Sequence, residues 1–277
     1  MSTNIFKQRE KEYALERLRV LKGKYPEALE VLNFYEHILR YQREAYQSIK
    51  DKDWRKGIKW FYRLLDICME NGNEEISKRA EEFKGLEKAV VEKMIGDFIK
   101  EKKAEPIDRF LFLSFLNPFY ERFAESMEVD KENWLKTKCP VCGFKPSVSY
   151  IADSQEVEGG RFLRCVLCNT DWLYNRNRCV NCGNEDDKEM DYYYQEENRA
   201  VQLQVCQKCG HYIKLIDMRL DGLAVPHVED VGAGFIIHVY MGTIGVPGSL
   251  SSMITGKVSA LWAASHHPKW FKEIIKR

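Results

Sequence analysis

The stretch Lys138–Gly143, "KCPVCG", lies near the middle of the 277-residue chain and contains the first of four Cys-x-x-Cys pairs. Successive pairs are separated by 22, 10 and 23 residues, so they form an internal repeat of two similar units. In each unit, two pairs flank a ribbon and can together give four thiolates to one tetrahedral ion. The sequence therefore predicts two four-cysteine metal sites, formed by Cys139, Cys142, Cys165 and Cys168 and by Cys179, Cys182, Cys206 and Cys209.

The residue that follows each pair supports this interpretation. A knuckle around a metal ion turns back sharply, and the residue after its second cysteine commonly has a positive φ. Glycine adopts that conformation without strain, and asparagine is the next best choice. The four positions hold Gly143, Asn169, Gly183 and Gly210. We therefore expect left-handed backbone at all four.

A disulfide framework is the alternative, because eight cysteines are an even number. The N-terminal stretch "MSTNIFKQREKEYALERL" is charged and lacks the apolar core of a signal peptide, so we expect a cytoplasmic protein with reduced thiols. Metal binding is therefore favoured, and both iron and zinc are compatible with tetrahedral sulfur. The ninth cysteine, Cys68, is expected to be a buried apolar residue, and His211 to form hydrogen bonds rather than bind metal.

Charge and hydropathy exclude some classes of protein. Charged residues make up 31% of the chain, but the formal net charge is only +1, so the molecule as a whole does not attract nucleic acid or an anionic membrane. The longest apolar stretch, Gly234–Gly248, is interrupted by glycines and Pro247 and is shorter than the roughly 20 residues of a membrane span. We expect a soluble globular protein without a transmembrane helix.

The chain before Lys138 has helical periodicity. Apolar residues that recur three and four apart predict amphipathic helices over residues 28–49, 54–69 and 76–98. The stretch Ile107–Met127 is apolar nearly all round. It therefore predicts a central, buried helix of a bundle, bent near Pro118.

The composition changes at about Cys139, where short β-type runs, glycine and asparagine replace the helical pattern up to about Asp217. This part has too little apolar content to fold by packing alone, so we expect metal binding to hold it together. The sequence thus predicts an α+β protein with an all-helical N-terminal bundle followed by two tandem rubredoxin-like or zinc-ribbon metal modules. The predicted domains are residues 1–137, residues 138–220, and a C-terminal segment of uncertain packing, 221–277.

The predicted sites differ from a hydrolytic metal centre. Four thiolates leave no open position for a metal-bound water, and the sequence has no Ser-His-Asp ordering, phosphate-binding glycine loop or HExxH motif. We therefore expect no enzymatic activity. The stretch Arg161–Arg178 mixes arginines with aromatic residues, which could bind a protein, stack nucleic-acid bases or only cover a metal site. The near-neutral charge disfavours nucleic acid.

The four knuckles resemble, in order and spacing, those of the formate dehydrogenase accessory protein FdhE. The matching runs are "CPVCGFKP", "RFLRCVLCNTDW", "NRNRCVNCG" and "CQKCGHYIKLID", and a looser match over the helical half ends in "FLNPFYERFA". The resemblance implies a cytoplasmic maturation factor with a helical N-terminal domain and two rubredoxin-like folds that hold two iron or zinc ions through the eight cysteines. It fails past about Tyr240.

The resemblance also implies a partner, the catalytic subunit of a molybdenum- or tungsten-containing formate dehydrogenase. The residues that it predicts to face this partner or to support the domain are Arg161, Thr170, Asp171, Trp172 and Arg176. Two alternatives are an enzyme of metal–thiolate redox or sulfur chemistry and a nucleic-acid-binding ribbon protein. The metal, the client enzyme, self-association and the role of the segment after Tyr240 stay open at this point.

Overall fold

A computed structural model describes residues 2–154, 157–195, 198–232 and 274–276. Within these ranges the chain forms seven α-helices and seven β-strands. The helices are α1 Ser2–Lys24, α2 Leu29–Ser48, α3 Lys59–Asn71, α4 Glu74–Lys84, α5 Lys88–Glu101, α6 Pro106–Glu125 and α7 Pro226–Val231. The strands are β1 Pro146–Ala152, β2 Gly160–Cys165, β3 Asp171–Tyr174, β4 Met190–Gln195, β5 Asn198–Cys206, β6 Tyr212–Asp217 and β7 Ile274–Lys276. The predicted α+β class, helices first and cysteine modules second, is confirmed.

Helix α6 is the centre of the helical half, as its all-round apolar sequence predicts. Every residue from Phe110 to Phe119 is buried. Phe115 of α6 packs on Phe61 of α3 with a ring-centroid distance of 5.4 Å, and Phe112 of α6 packs on Phe98 of α5 at 5.5 Å. Aromatic rings at such distances contribute beyond the area they bury. The bundle is therefore assembled around this one helix.

Helix α6 continues through Pro118, although proline removes a helical hydrogen bond. Pro118 has no N–H to donate to the carbonyl of Ser114, four residues earlier. That carbonyl instead accepts a hydrogen bond from Nε2 of Gln42 on α2, at 3.3 Å. A side chain of a neighbouring helix thus satisfies the group that proline leaves free, and it ties α2 to α6.

Two sequence predictions in this half need correction. The single helix predicted over residues 76–98 is two helices, α4 and α5, because Gly85 ends the first and Glu87 has an extended backbone before the second. Each short helix has its own apolar stripe, and the two stripes in succession resemble one. The helix predicted over residues 54–69 begins only at Lys59, and Trp54 lies in a preceding turn, where it is buried.

The strands form one sheet in the order β3-β2-β1-β6-β5-β4-β7. Neighbouring strands are antiparallel except β1 and β6, which pair in parallel with Ser149 opposite Leu215 and Ile151 opposite Asp217. Strands β1 to β3 belong to the first cysteine unit, and β4 to β6 belong to the second. The parallel pair therefore joins the two units into a continuous sheet.

Short helix α7 connects the sheet to the helical half. Lys214 of β6 is buried and forms an ion pair with Asp230, with 2.7 Å between Nζ and Oδ1. On the other side, Arg17 of α1 pairs with Glu229 of α7 and, at 2.5 Å, with Asp221. A buried charge without a partner is costly, so these ion pairs fix where the helix lies.

Among the described helices, none is both long and apolar enough to cross a membrane. The apolar stretch Gly234–Gly248 lies outside the described residues, as does the segment after Tyr240 apart from residues 274–276.

Replacing Phe61 with alanine tests the aromatic core. Phe61 is fully buried and its ring contacts those of Phe83, Phe112 and Phe115. We expect a loss of about 3–5 kcal/mol in the free energy of unfolding, measured by urea titration with circular dichroism, because the cavity cannot close. Tyr13→Ala, at a position 57% exposed, should change that free energy by less than about 0.5 kcal/mol. Equal effects of the two substitutions would contradict the central position of Phe61.

Candidate metal centres

All four Cys-x-x-Cys pairs form the same tight backbone turn. The N–H of Cys139 donates to the carbonyl of Phe144 at 2.8 Å, and the N–H of Gly143 donates to the carbonyl of Cys139 at 3.0 Å. The knuckle at Cys179 repeats both hydrogen bonds with the same two lengths. In the second knuckle of each unit, the turn joins two paired strands, β2 to β3 and β5 to β6.

The residue after each second cysteine is left-handed, as predicted. The φ angles are 71° at Gly143, 51° at Asn169, 74° at Gly183 and 68° at Gly210. Asparagine is among the few residues other than glycine that tolerate this region. The prediction from residue type is confirmed at all four knuckles.

The eight sulfurs gather in two groups of four, in the combinations that the spacing predicts. Within each group all sulfurs lie within 4.8 Å of one another. In the first group, Sγ of Cys142 is 3.3 Å from Sγ of Cys165, and in the second, Sγ of Cys182 is 3.8 Å from Sγ of Cys206. A tetrahedral site with metal–sulfur bonds of about 2.3 Å has sulfur–sulfur edges of about 3.8 Å.

The disulfide alternative is not what the structure shows. All nine cysteines lie within the described residues, and all nine are free thiols. Cys68 is buried in α3, as expected for an apolar residue, and burial raises the pKa of its thiol to about 12. Nδ1 of His211 lies 3.0 Å from the carbonyl oxygen of Cys209, which agrees with its predicted hydrogen-bonding role.

The chemistry of the first group fits a divalent cation. Hydrogen bonds from Cys142, Cys165 and Cys168 lower the pKa of Cys139, whereas burial raises the pKa of Cys165. Four thiols at this separation, three of them buried, do not all ionise without a positive charge among them, because each thiolate opposes the next. A thiophilic metal ion supplies that charge and replaces the protons. Each of the two groups could therefore hold one metal ion.

Groups beside the sulfurs are placed to stabilise thiolates. The N–H of Val141 points at Sγ of Cys139, and the N–H of Leu167 points at Sγ of Cys165, both at 3.4 Å. The hydroxyl of Thr170 lies 3.1 Å from Sγ of Cys168. Such contacts orient ligands and tune a metal site. Thr170, predicted to face a partner or support the domain, is buried here against a sulfur.

Arg161 is buried and spans the two cysteine units. It lies on β2, four residues before Cys165, and its Nη1 donates to the carbonyls of Asn175, Arg176 and Arg178, at 3.2, 3.0 and 3.0 Å. Those residues lead directly into Cys179. Its Nη2 donates to Oε1 of Gln204 at 2.6 Å. All of these acceptors are neutral, and burial lowers the pKa of the guanidinium to about 10.

The other three residues predicted beside the partner lie at different depths. Trp172 is 1% exposed, and its indole N–H donates to the carbonyl of Lys136 at 2.8 Å. Asp171 is half-buried and pairs with Arg164 through two hydrogen bonds of 2.8 and 2.9 Å. Arg176 is exposed, and its guanidinium donates to the carbonyl of Gly159. A partner role for the five residues stays a prediction.

One residue that sequence reasoning missed joins the helices to the first site. Asn117 of α6 is buried, and its Nδ2 donates to the carbonyl of Leu167, between Cys165 and Cys168, at 2.8 Å. Phe98 of α5 contacts Phe144 of the first knuckle at 5.6 Å. The available signal was an asparagine within the predominantly apolar run Phe110–Phe119, because a buried polar side chain needs a partner.

Comparison with known proteins agrees with this architecture. The Aquifex aeolicus (strain VF5) protein named "Protein FdhE homolog" is 41% identical over 255 residues, which cover 83% of this chain and 90% of that protein. The chain belongs to the FdhE family. The family model for the FdhE central domain matches residues 138–176, which contain the first four-cysteine group. The FdhE homologue of Haemophilus influenzae (strain PittEE) is 27% identical over 217 residues, or 76% of this chain and 68% of that protein.

A solved FdhE structure has the same fold. The crystal structure of the FdhE protein from Pseudomonas aeruginosa aligns with a TM-score of 0.63 over 89% of this chain and 94% of that chain. Their sequences are 18% identical, so this likeness concerns the fold alone. The helical half followed by a sheet is therefore an arrangement shared with that FdhE protein.

The substitution Arg161→Lys tests the contact between the two units. Lysine keeps the charge but cannot reach three carbonyls and an amide at once, so buried acceptors lose their donors. We expect the free energy of unfolding to fall by roughly 2–4 kcal/mol in a urea titration. The control, Arg178→Lys, alters a half-exposed arginine and should change it by about 0.5 kcal/mol or less. A neutral result for Arg161→Lys would show that its four contacts are dispensable.

Proposed function

We propose that this FdhE-family chain is a cytoplasmic accessory protein that binds the catalytic subunit of a formate dehydrogenase and supports its assembly or activation. The observation that carries the proposal is family membership along most of the chain, together with the match of the FdhE central-domain model to the residues of the first cysteine group. In this proposal the chain contributes a surface and a scaffold, and the chemistry belongs to its client.

The arrangement of the sulfurs supports a role without catalysis. Each group presents four thiols to one point, so an ion bound there has its four tetrahedral positions filled by the protein. A site of that kind has no position for a substrate or for a metal-bound water. We therefore assign the eight cysteines as ligands that maintain the fold, with iron or zinc as the ion.

The exposed part of the segment between the two units is the best candidate for the contact with the client. Asn175, Arg176 and Asn177 are exposed, and they lie between the first and second cysteine groups. The buried guanidinium of Arg161 donates hydrogen bonds to the carbonyls of residues 175, 176 and 178, so the backbone of this segment has a fixed conformation. Exposed arginine on a rigid support is a frequent centre of protein–protein interfaces.

Metal analysis tests the ligand assignment. The full chain, reconstituted with Zn²⁺ under anaerobic conditions, should contain two ions, because two complete sets of four thiols are present. Cys139→Ser and Cys179→Ser should each retain one, since each removes a ligand from a different group. Visible absorption of the protein as purified then distinguishes coloured iron–thiolate from colourless zinc. Two ions retained in both variants would refute the assignment.

A pull-down experiment tests the client contact. The tagged chain should capture the catalytic subunit of a formate dehydrogenase from the same organism, and Arg176→Glu should weaken capture by roughly tenfold or more, because it reverses a charge at the proposed centre of contact. The matched control is Arg63→Glu, an exposed arginine on α3. Capture that is equal in the wild type and Arg176→Glu would remove this segment from the interface. No capture by the wild type would reject the proposed partner.

A further inference from the structure

The two cysteine groups repeat one turn geometry, but different residues surround them. Three apolar residues in the knuckles of the first group correspond to polar residues in the second. The corresponding pairs, first group then second, are Phe144 and Asn184, Val166 and Gln207, and Leu167 and Lys208. Gln207 and Lys208 are exposed, whereas Leu167 is fully buried. The second group therefore lacks the apolar cover of the first.

The cysteines themselves differ in exposure in the same way. In the first group three cysteines are buried and Cys142 is half-buried, whereas in the second Cys182 is exposed and Cys209 is half-buried. Cys182 is the ligand at the position that Cys142 occupies in the first unit. Solvent and small solutes therefore reach one ligand residue of the second group, Cys182, more readily than any cysteine of the first.

The two groups also belong to different parts of the core. Cys139, Cys165 and Cys168 are members of the large hydrophobic core that includes the helices. Asn117 and Phe98 fix their knuckles from the helical side. The buried members of the second group form a small separate cluster with Met190, against which Tyr192 and Cys209 pack. The first group is thus built into the main core, whereas the second touches that core only at its edge, through Val180.

We propose that the second site, formed by Cys179, Cys182, Cys206 and Cys209, exchanges its metal ion with solution, while the first site retains its ion. The ligand is a thiophilic divalent cation such as Zn²⁺ or Fe²⁺. Exchange would start at Cys182: a competing donor would replace its Sγ as a ligand while Cys179, Cys206 and Cys209 still held the ion. No electron is transferred in this step. The proposal concerns the isolated chain and is independent of the proposed client.

The physical basis is access and local stability. Replacement of a ligand needs a competing donor to come within bonding distance, and of the two groups only the second has an exposed cysteine residue. Loss of one ligand must also be tolerated by the surrounding structure, and regions with few buried apolar contacts open at lower free energy than the main core. Both conditions favour the second group.

Release of metal to a chelator tests the proposal. The full chain loaded with Zn²⁺ is mixed with an excess of a chromogenic zinc chelator, without oxygen and with a reductant present. We expect two phases of equal amplitude, one ion each, with rates that differ by roughly 10–100-fold, the range over which groups outside the ligand set alter metal affinity. Release of both ions in one phase would overturn the proposal.

Variants assign the phases to sites. Cys182→Ser should remove the fast phase and leave the slow one, and the matched Cys142→Ser should do the reverse. Because the latter substitution disturbs the main core, Asn117→Ala is a second test: it removes a hydrogen bond to the first knuckle but no ligand, and should accelerate only the slow phase. Loss of the slow phase in Cys182→Ser, or an accelerated fast phase in Asn117→Ala, would contradict the assignment. A chain that binds a single ion both in the wild type and in Cys182→Ser would contradict the assignment as well.

Discussion

The left-handed residue after each second cysteine is the constraint on which the metal-binding half depends. At Gly143, Asn169, Gly183 and Gly210 this conformation reverses the chain within a few residues and lets two sulfurs of one pair face the same point. Two of the reversals are also the turns of hairpins, between β2 and β3 and between β5 and β6. The same turns therefore fix both the position of the sulfurs and the register of the strands. A change in a turn would displace the sulfurs and shift the strand pairing together.

Sequence reasoning succeeded where the signal is local. The spacing of the cysteines, the residue after each pair, the apolar stripe of α2 and the all-round apolar sequence of α6 are all properties of short segments. The pairing of β1 with β6 is different, because it joins Ser149 to Leu215 and merges the two units into one sheet. Parallel neighbours far apart in sequence carry no local signature. The break between α4 and α5 was missed for the opposite reason: two short stripes in succession imitate one long one.

The burial of Arg161 and Trp172 could not be predicted from residue type. Arginine and tryptophan are enriched at interfaces, but each can also be buried when its polar atoms are paired, so residue type does not decide between the two locations. The structure shows what each side chain satisfies: the carbonyls of residues 175, 176 and 178 for Arg161 and the carbonyl of Lys136 for Trp172. Irregular segments have backbone acceptors that no strand can pair, and long donors from the sheet compensate for them. Arg164 is buried too, and the half-buried carboxylate of Asp171 accepts two hydrogen bonds from its guanidinium.

Helix α6 explains why the first cysteine group and the helices form one core. The helix is apolar nearly all round, so other elements can pack against all of its faces. Two polar groups near its middle, the Ser114 carbonyl and the Asn117 amide, nevertheless need partners. The Ser114 carbonyl, left free by Pro118, accepts from Gln42 of α2, and the amide of Asn117 donates to the carbonyl of Leu167. Each contact is directional and made at one height along the helix, so neither neighbour can slide without leaving a buried polar group unsatisfied. These two contacts therefore fix the position of α2 and of the first knuckle pair relative to each other. The buried cysteines of the second group lie in a separate cluster and, in the part of the chain that the structure describes, have no such contact with α6.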